Sequence, residues 1–140
     1  KELVRRGYKV GVISDLIGTK EIDEWLDHDG LRPYFCTVQQ SSVTMLRKPH
    51  PAIYFLALAE CGVRPEESAF VGDNLQRDII GAKATNFGAT IAVEYPDAKK
   101  LKLTRENQPD GIICRFNQLL DIFPQAPDIN LSAMEQRSVE

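Results

Sequence analysis

The sequence has few cysteines, and none of them lie at metal-binding spacing. Its 140 residues include only Cys36, Cys61 and Cys114, with no Cys-x-x-Cys pair. An odd number of scattered cysteines is typical of buried thiols in a reducing compartment, and it argues against a disulfide framework or a zinc knuckle. The sequence therefore predicts free thiols and a cytoplasmic location.

Long apolar runs, a signal peptide and excess positive charge are also missing. No apolar run approaches the roughly 20 residues that a membrane-spanning helix needs. Charged residues interrupt the first six positions, which therefore lack the apolar core of a signal peptide. A net charge of −3 argues against nucleic acid as a partner. With 43% hydrophobic and 26% charged residues, the composition is that of an ordinary globular domain with neither nucleic-acid nor membrane partners.

Short apolar segments that predict β-strands alternate with segments that predict helices. The predicted strands are 8–13, 34–38, 69–72, 89–93 and 111–114, and the predicted helices are 1–6, 21–27, 51–61, 75–86 and 116–123. This alternation is typical of a parallel sheet with helices on both faces. We expect an α/β core over residues 1–123, with Trp25 and the phenylalanines inside it, and a polar, flexible tail over residues 124–140.

Two acidic residues follow the third predicted strand. Asp73 lies at the strand end and Asp78 in the first turn of the next helix, so both carboxylates can point into one pocket. Paired carboxylates at such a place suit Mg²⁺. The alternative is structural: Asp73 or Asn74 caps the helix, and Asp78 is a solvated first-turn acid.

Three further residues are candidates because of their places beside helix and strand ends. Lys48 precedes a helix, where its ammonium could neutralise a phosphate, although a lone lysine is more often a solvated surface residue. The Ser14 hydroxyl and the backbone N–H groups after it could hold phosphate oxygens, but a serine there is more often a turn residue. His50 is better explained by its place at a helix start than by a role at the pocket.

These segments occur in an order that resembles the haloacid dehalogenase-like hydrolase superfamily. The segments are Val-Gly-Val-Ile-Ser-Asp at 10–15, Arg-Lys-Pro-His-Pro-Ala-Ile-Tyr at 47–54 and Phe-Val-Gly-Asp-Asn-Leu-Gln-Arg-Asp-Ile-Ile-Gly-Ala-Lys at 70–83. The resemblance covers residues 1–123. It implies a Rossmann-like three-layer α/β/α core with a parallel sheet.

The resemblance also implies a phosphotransfer site. In the family the second motif supplies a phosphate-binding hydroxyl, here Ser14, with Asp15 in a position that is commonly Asn. The third motif supplies the lysine, here Lys48, and the fourth supplies the Mg²⁺ ligands, here Asp73 and Asp78. Because it retains both acidic residues, the chain resembles the Mg²⁺-dependent phosphatases of the family rather than the metal-free dehalogenases. An additional negative charge at Asp15 would disfavour a nearby phosphate.

The family's first motif, an apolar strand ending in Asp-x-Asp-Gly with the nucleophile, has no match before Ser14. We expect the nucleophile upstream of this chain, in a missing N-terminal segment of the same protein or in a complementing chain. We also expect the core to be incomplete, because that strand lies centrally in the family's sheet. Asp27-His28-Asp29-Gly30 spells the same pattern, but no apolar strand precedes it, so we expect it to be non-catalytic.

The resulting expectation is a Mg²⁺-dependent phosphomonoester hydrolase that acts on a small phosphorylated metabolite through a phospho-aspartyl intermediate. This chain would be most of its core and inactive on its own. The alternative is a non-catalytic binding or scaffold module that kept the fold. The sequence contains no element from which the substrate or the oligomeric state can be inferred.

Overall fold

The computed structural model, which describes residues 1–127, contains five short parallel strands. The strands are β1 (Val10–Ser14), β2 (Phe35–Gln40), β3 (Ala69–Gly72), β4 (Ala89–Val93) and β5 (Gly111–Ile113). The helices are α1 (Glu2–Arg5), α2 (Glu21–His28), α3 (Ser41–Thr44), α4 (Pro51–Cys61), α5 (Gly81–Ala84) and α6 (Leu119–Ile122). This order of strands and helices confirms the predicted α/β, Rossmann-like core. No helix in this part of the chain is long and apolar enough to cross a membrane.

The strands form two sheets rather than one. Strand β1 pairs with β2, and β3, β4 and β5 pair in that order, all in parallel. Within residues 1–127, β1 and β3 are not hydrogen-bonded to each other. The two sheets nevertheless share a core, because Ile13 of β1 packs against a cluster that contains Phe70 of β3.

The core has two clusters of buried residues: one forms around α4, and the other lies among β4, β5 and α6. Tyr54 and Ile53 are fully buried, and the Tyr54 ring meets the rings of Phe70 and Phe87 edge to face at 5.4 Å and 6.0 Å. The prediction that Trp25 lies in the core is wrong, because its side chain is 60% exposed. Helix α2 buries Ile22 and Leu26 instead.

Some phenylalanines also lie outside the core. Phe55 and Phe116 are about half exposed, so the expectation for these two residues is wrong as well. Phe55 follows Tyr54 directly on α4, and successive residues of a helix point in directions about 100° apart. A count of aromatic residues therefore does not identify which face of the helix is buried.

Two elements differ from their predicted form. The polar stretch before Lys48 contains α3, which the sequence did not predict. The predicted helix 75–86 begins as a π-helix, Leu75–Ile80, and continues as α5.

At the carboxyl end of the core, the Ala126 N–H donates to the Arg6 carbonyl at 2.8 Å. Most of the predicted tail, residues 128–140, lies outside the described residues.

The prediction of free thiols is wrong for two of the three cysteines. Cys36 in β2 and Cys61 at the end of α4 form a disulfide, with their Cα atoms 5.3 Å apart. The pairing arises because α4 packs along β1 and β2, and a separation of 25 residues gave no sign of it. Cys114 is free and exposed. The disulfide removes the cysteine-based argument for a reducing compartment.

Reducing the Cys36–Cys61 disulfide should lower the free energy of unfolding by about 3 kcal/mol, because the bond closes a loop of about 25 residues in the unfolded chain. Chemical denaturation with and without dithiothreitol measures this loss. Cys114→Ser is the matched control and should leave both values unchanged. Equal stabilities of the oxidised and reduced protein would contradict the prediction.

Candidate active site

A polar pocket lies where β1 and β3 end. Its lining residues come from three separate segments: Ser14, Asp15, Lys48, Asp73, Asn74, Arg77 and Asp78. In open α/β sheets, ligands bind beyond the carboxyl ends of the strands, and the pocket has this location. The five residues that the family resemblance assigns to the site therefore line one pocket, and their roles are predictions.

The end of β3 holds Asp78 by backbone contacts. The Asn74 side chain caps the next helical segment by accepting the Arg77 N–H at 2.9 Å. The Asn74 N–H in turn donates to Asp78 Oδ2 at 2.9 Å. The structural alternative is thus half right: Asn74 is a cap, but Asp78 is buried, not solvated. Asp73 is exposed at the pocket.

Lys48 is not a solvated surface residue. Its side chain is 11% exposed, and Nζ lies 2.5 Å from Asp78 Oδ1. Two residues later, His50 caps α4, since its Nδ1 accepts the Ala52 N–H at 3.2 Å. This confirms the helix-start interpretation of His50, which is not among the pocket-lining residues.

A hydrogen bond from the Lys48 backbone holds the Asp15 side chain in place. Oδ1 accepts the Lys48 backbone N–H at 3.1 Å. Oδ2 is buried and, within the described residues, has no hydrogen-bond donor. The nearest cations are Arg47 Nε at 3.8 Å and Arg77 Nη1 at 3.7 Å.

Sequence reasoning missed Arg77 as a pocket residue. It precedes Asp78 in a segment whose charges looked like an ordinary helix surface, but in the structure this segment is a π-helix and Arg77 lines the pocket. Beneath it, the buried Tyr54 hydroxyl donates to the Arg77 carbonyl. Burial raises the pKa of Tyr54, and the negative charges of Asp78 and Asp15 raise it further. Tyr54 is therefore a hydrogen-bond donor at neutral pH.

The Asp-x-Asp-Gly pattern at 27–30 lies away from the pocket. Asp27 lies in the last turn of α2 and pairs with the Arg32 guanidinium at 2.5 Å, while Asp29 follows the helix and contacts His28 at 2.8 Å. Both acidic side chains are more than half exposed. Neither residue lines the pocket.

The donor set of the pocket fits Mg²⁺ in the way this ion is usually held. Among residues 1–127 there is no group of three or more acidic, histidine or cysteine side chains that could form a metal cage. Mg²⁺, however, is commonly bound by one or two carboxylates together with water and substrate phosphate. Asp73 and Asp78 supply these two carboxylates in one pocket.

Gly72→Ala should disturb this arrangement, because a Cβ at residue 72 would overlap the Asp78 side chain. We expect a loss of about 1–3 kcal/mol in unfolding free energy, with weaker Mg²⁺ binding. Thermal unfolding and a Mg²⁺ titration measure the two effects. Gly111→Ala is the control, since its Cβ would meet nothing within 4 Å. Equal effects of the two substitutions would refute this account of Gly72.

Comparison with known proteins identifies the family. A model of the haloacid dehalogenase-like hydrolases matches residues 1–93. Glyceraldehyde 3-phosphate phosphatase of Pyrococcus furiosus is 36% identical over 122 residues, 86% of this chain and 50% of the relative. Phosphoglycolate phosphatase of Pectobacterium atrosepticum is 29% identical over 132 residues, 92% of this chain and 53% of the relative. The chain belongs to the haloacid dehalogenase-like hydrolase family and resembles its phosphatases.

A solved structure supports the same fold. The crystal structure of a phosphatase of this superfamily from Thermococcus onnurineus superimposes with a TM-score of 0.73 at 28% sequence identity. The match covers 88% of this chain and 54% of that one. The chain thus spans about half the length of the relatives that it matches.

Proposed function

We propose that this chain forms most of the catalytic core of a Mg²⁺-dependent phosphomonoester hydrolase. The observation that carries the proposal is the convergence of a hydroxyl, an ammonium and two carboxylates in one pocket at the strand ends. These groups are Ser14, Lys48, Asp73 and Asp78. Membership of the family and the similarity to curated phosphatases support the same reaction.

Each group has a distinct part in holding a phosphoryl group. The Ser14 hydroxyl and the backbone N–H of Asp15 would donate to phosphoryl oxygens. The Lys48 ammonium would offset negative charge that develops during transfer. Asp73 and Asp78 would hold Mg²⁺, which when bound polarises the phosphoryl oxygens. The contact between Lys48 and Asp78 holds the lysine ammonium beside a carboxylate that would bind Mg²⁺. From there the ammonium would also face the phosphoryl group.

The nucleophile would come from a segment that inserts between β1 and β3. Within the described residues, each of these strands is paired on one side only, and unpaired strand edges inside a domain are costly. Ser14 is the last residue of β1, Asp73 directly follows β3, and both line one pocket. A parallel strand in this slot would end between them, so a carboxylate at its end would face the phosphoryl group.

The reaction then proceeds in two balanced steps. A carboxylate oxygen of the inserted segment attacks phosphorus, and the P–O bond to the alcohol breaks. A second Asp, two residues after the nucleophile, protonates the leaving oxygen. Water, deprotonated by that same Asp, then attacks the phospho-aspartyl phosphorus and releases inorganic phosphate and the original carboxylate.

The substrate class is a small phosphorylated metabolite. Glyceraldehyde 3-phosphate and phosphoglycolate, named for the relatives, are both compounds of this kind. The pocket's described lining is polar and charged, which suits a phosphate rather than an apolar ligand. We further propose a cytoplasmic location, in keeping with such a substrate.

The test uses the full-length protein with p-nitrophenyl phosphate. We expect hydrolysis in Mg²⁺ and its loss in EDTA, with recovery on adding Mg²⁺ back. Residues 1–140 alone should be inactive because the nucleophile is elsewhere. Strong Mg²⁺-dependent turnover by this chain alone would overturn the inserted-segment part of the proposal.

The second candidate function is a non-catalytic binding module, which the buried negative charge of Asp15 beside the pocket favours. Calorimetry with Mg²⁺ and orthovanadate on the full-length protein separates the two. Binding without turnover of any phosphomonoester would support the module and refute the hydrolase.

A further inference from the structure

The Asp15 carboxylate is buried with one oxygen unsatisfied. Its side chain is 5% exposed, and Oδ2 has no hydrogen-bond donor among residues 1–127. The two guanidinium groups near it lie 3.7 Å and 3.8 Å away, which is ion-pair distance but too long for a hydrogen bond. Leaving a buried acceptor without a donor is costly, and the ion pairs with these two cations offset part of that cost.

The two arginines that share this oxygen differ in their relation to the pocket. Arg77 lines the pocket and its side chain is 38% exposed. Arg47 is 71% exposed and is not among the lining residues. Arg77 is thus the cation that an anion in the pocket would meet.

The main chain of Arg77 is fixed while its guanidinium has donors to spare. The N–H donates to Asn74 Oδ1 at 2.9 Å, and the carbonyl accepts the buried Tyr54 hydroxyl. The guanidinium contacts Asp15 Oδ2 through Nη1 at 3.7 Å, which is ion-pair distance rather than a hydrogen bond. An arginine has five N–H donors, so the side that faces Asp15 leaves others for a ligand.

We propose that Arg77 is an anion-binding residue of this pocket and that Asp15 is its positioning residue. Resting on the proposed function, this adds a contact to an anionic oxygen of the phosphorylated substrate. The Asp15 charge then has two opposed effects: it orients Arg77 towards the pocket, and it repels the incoming anion. The first effect requires Arg77, and the second does not.

A double-mutant cycle on inorganic phosphate binding tests the proposal. Calorimetry would use the full-length protein, at pH 7 in Mg²⁺, with Arg77→Gln, Asp15→Asn and the double variant. Asparagine keeps an oxygen for the Lys48 N–H. Arg77→Gln should weaken binding about 10-fold, since a charge-assisted contact is lost. Asp15→Asn should weaken binding about 3-fold when Arg77 is present, and strengthen it about 3-fold in the Arg77→Gln background.

Arg47→Gln is the matched control. It removes the same charge beside the same carboxylate oxygen, at nearly the same distance, but outside the pocket lining. Phosphate affinity should stay within about 2-fold of the unmodified protein.

Several results would overturn the proposal. One is an Asp15→Asn effect of the same sign in both backgrounds, and another is an Arg77→Gln affinity equal to that of the unmodified protein. If Asp15→Asn fails to fold, Arg77→Lys decides in its place: it should bind about 3-fold more weakly than arginine, and an equal affinity would refute the proposal. If the unmodified protein binds phosphate but the double-mutant cycle shows no coupling between Asp15 and Arg77, only this proposal is refuted. No phosphate binding refutes the proposed function as well.

Discussion

Asp73→Asn should reduce the proposed Mg²⁺-dependent phosphatase activity of the full-length protein by at least about 100-fold. Asp73 is the exposed carboxylate of the pocket. Because the side chain is exposed, replacing it should remove the proposed metal ligand at little cost to the fold. The melting temperature in EDTA should not change, whereas the Mg²⁺ concentration needed for half-maximal activity should rise.

The matched control is Asp29→Asn. Asp29 is also an exposed aspartate and belongs to the Asp-x-Asp-Gly pattern that lies away from the pocket. Its substitution should leave kcat/KM unchanged. Loss of activity in Asp29→Asn together with full activity in Asp73→Asn would exchange the roles of the two segments and refute the site described here.

Lys48→Met should destabilise the fold as well as the activity. Lys48 and Asp78 form a largely buried ion pair at 2.5 Å, with side chains 11% and 5% exposed. Removing one partner leaves a buried charge uncompensated, which costs about 3–5 kcal/mol. Denaturant unfolding in Mg²⁺-free buffer measures this loss. Activity should fall with it, because Lys48 lines the pocket proposed to hold the phosphoryl group.

A second substitution separates the buried charge from other effects of the lysine. Lys48→Met/Asp78→Asn removes the uncompensated charge, so it should recover much of the stability lost in Lys48→Met but none of the activity. Lys100→Met is the control: Lys100 contacts Glu94 at 2.7 Å, but its side chain is 86% exposed. This substitution should not measurably change the melting temperature. If both lysine substitutions were equally mild, the buried pair would not stabilise the fold.

The sequence predicted those parts of the fold that depend on local signals. Strands β3 and β4 have their predicted bounds, and Pro51 begins α4 as a first-turn proline should. Lys48 and Asp78 are 30 positions apart, and only the order of the motifs linked them before the structure did.

Other features depend on packing that leaves no trace in residue order. The Cys36–Cys61 bond needs β2 and α4 to lie side by side, and two cysteines at this separation have no recognisable pattern. The exposure of Trp25 depends on which face of α2 meets the sheet. The contact between Asp15 and Arg77 joins the end of β1 to the π-helix that follows β3, and residues so far apart in the sequence give no local sign of it.

The break between β1 and β3 has a consequence for protein engineering. Ordinary strand addition uses one sheet edge, whereas a peptide in this slot would find backbone partners on both sides. Under the proposed function, the chain would serve as one fragment of a split enzyme, with a strand-forming peptide for this slot as the other. Because that peptide would carry the nucleophile, phosphatase activity would appear only when the two fragments assemble. The activity would therefore report assembly directly.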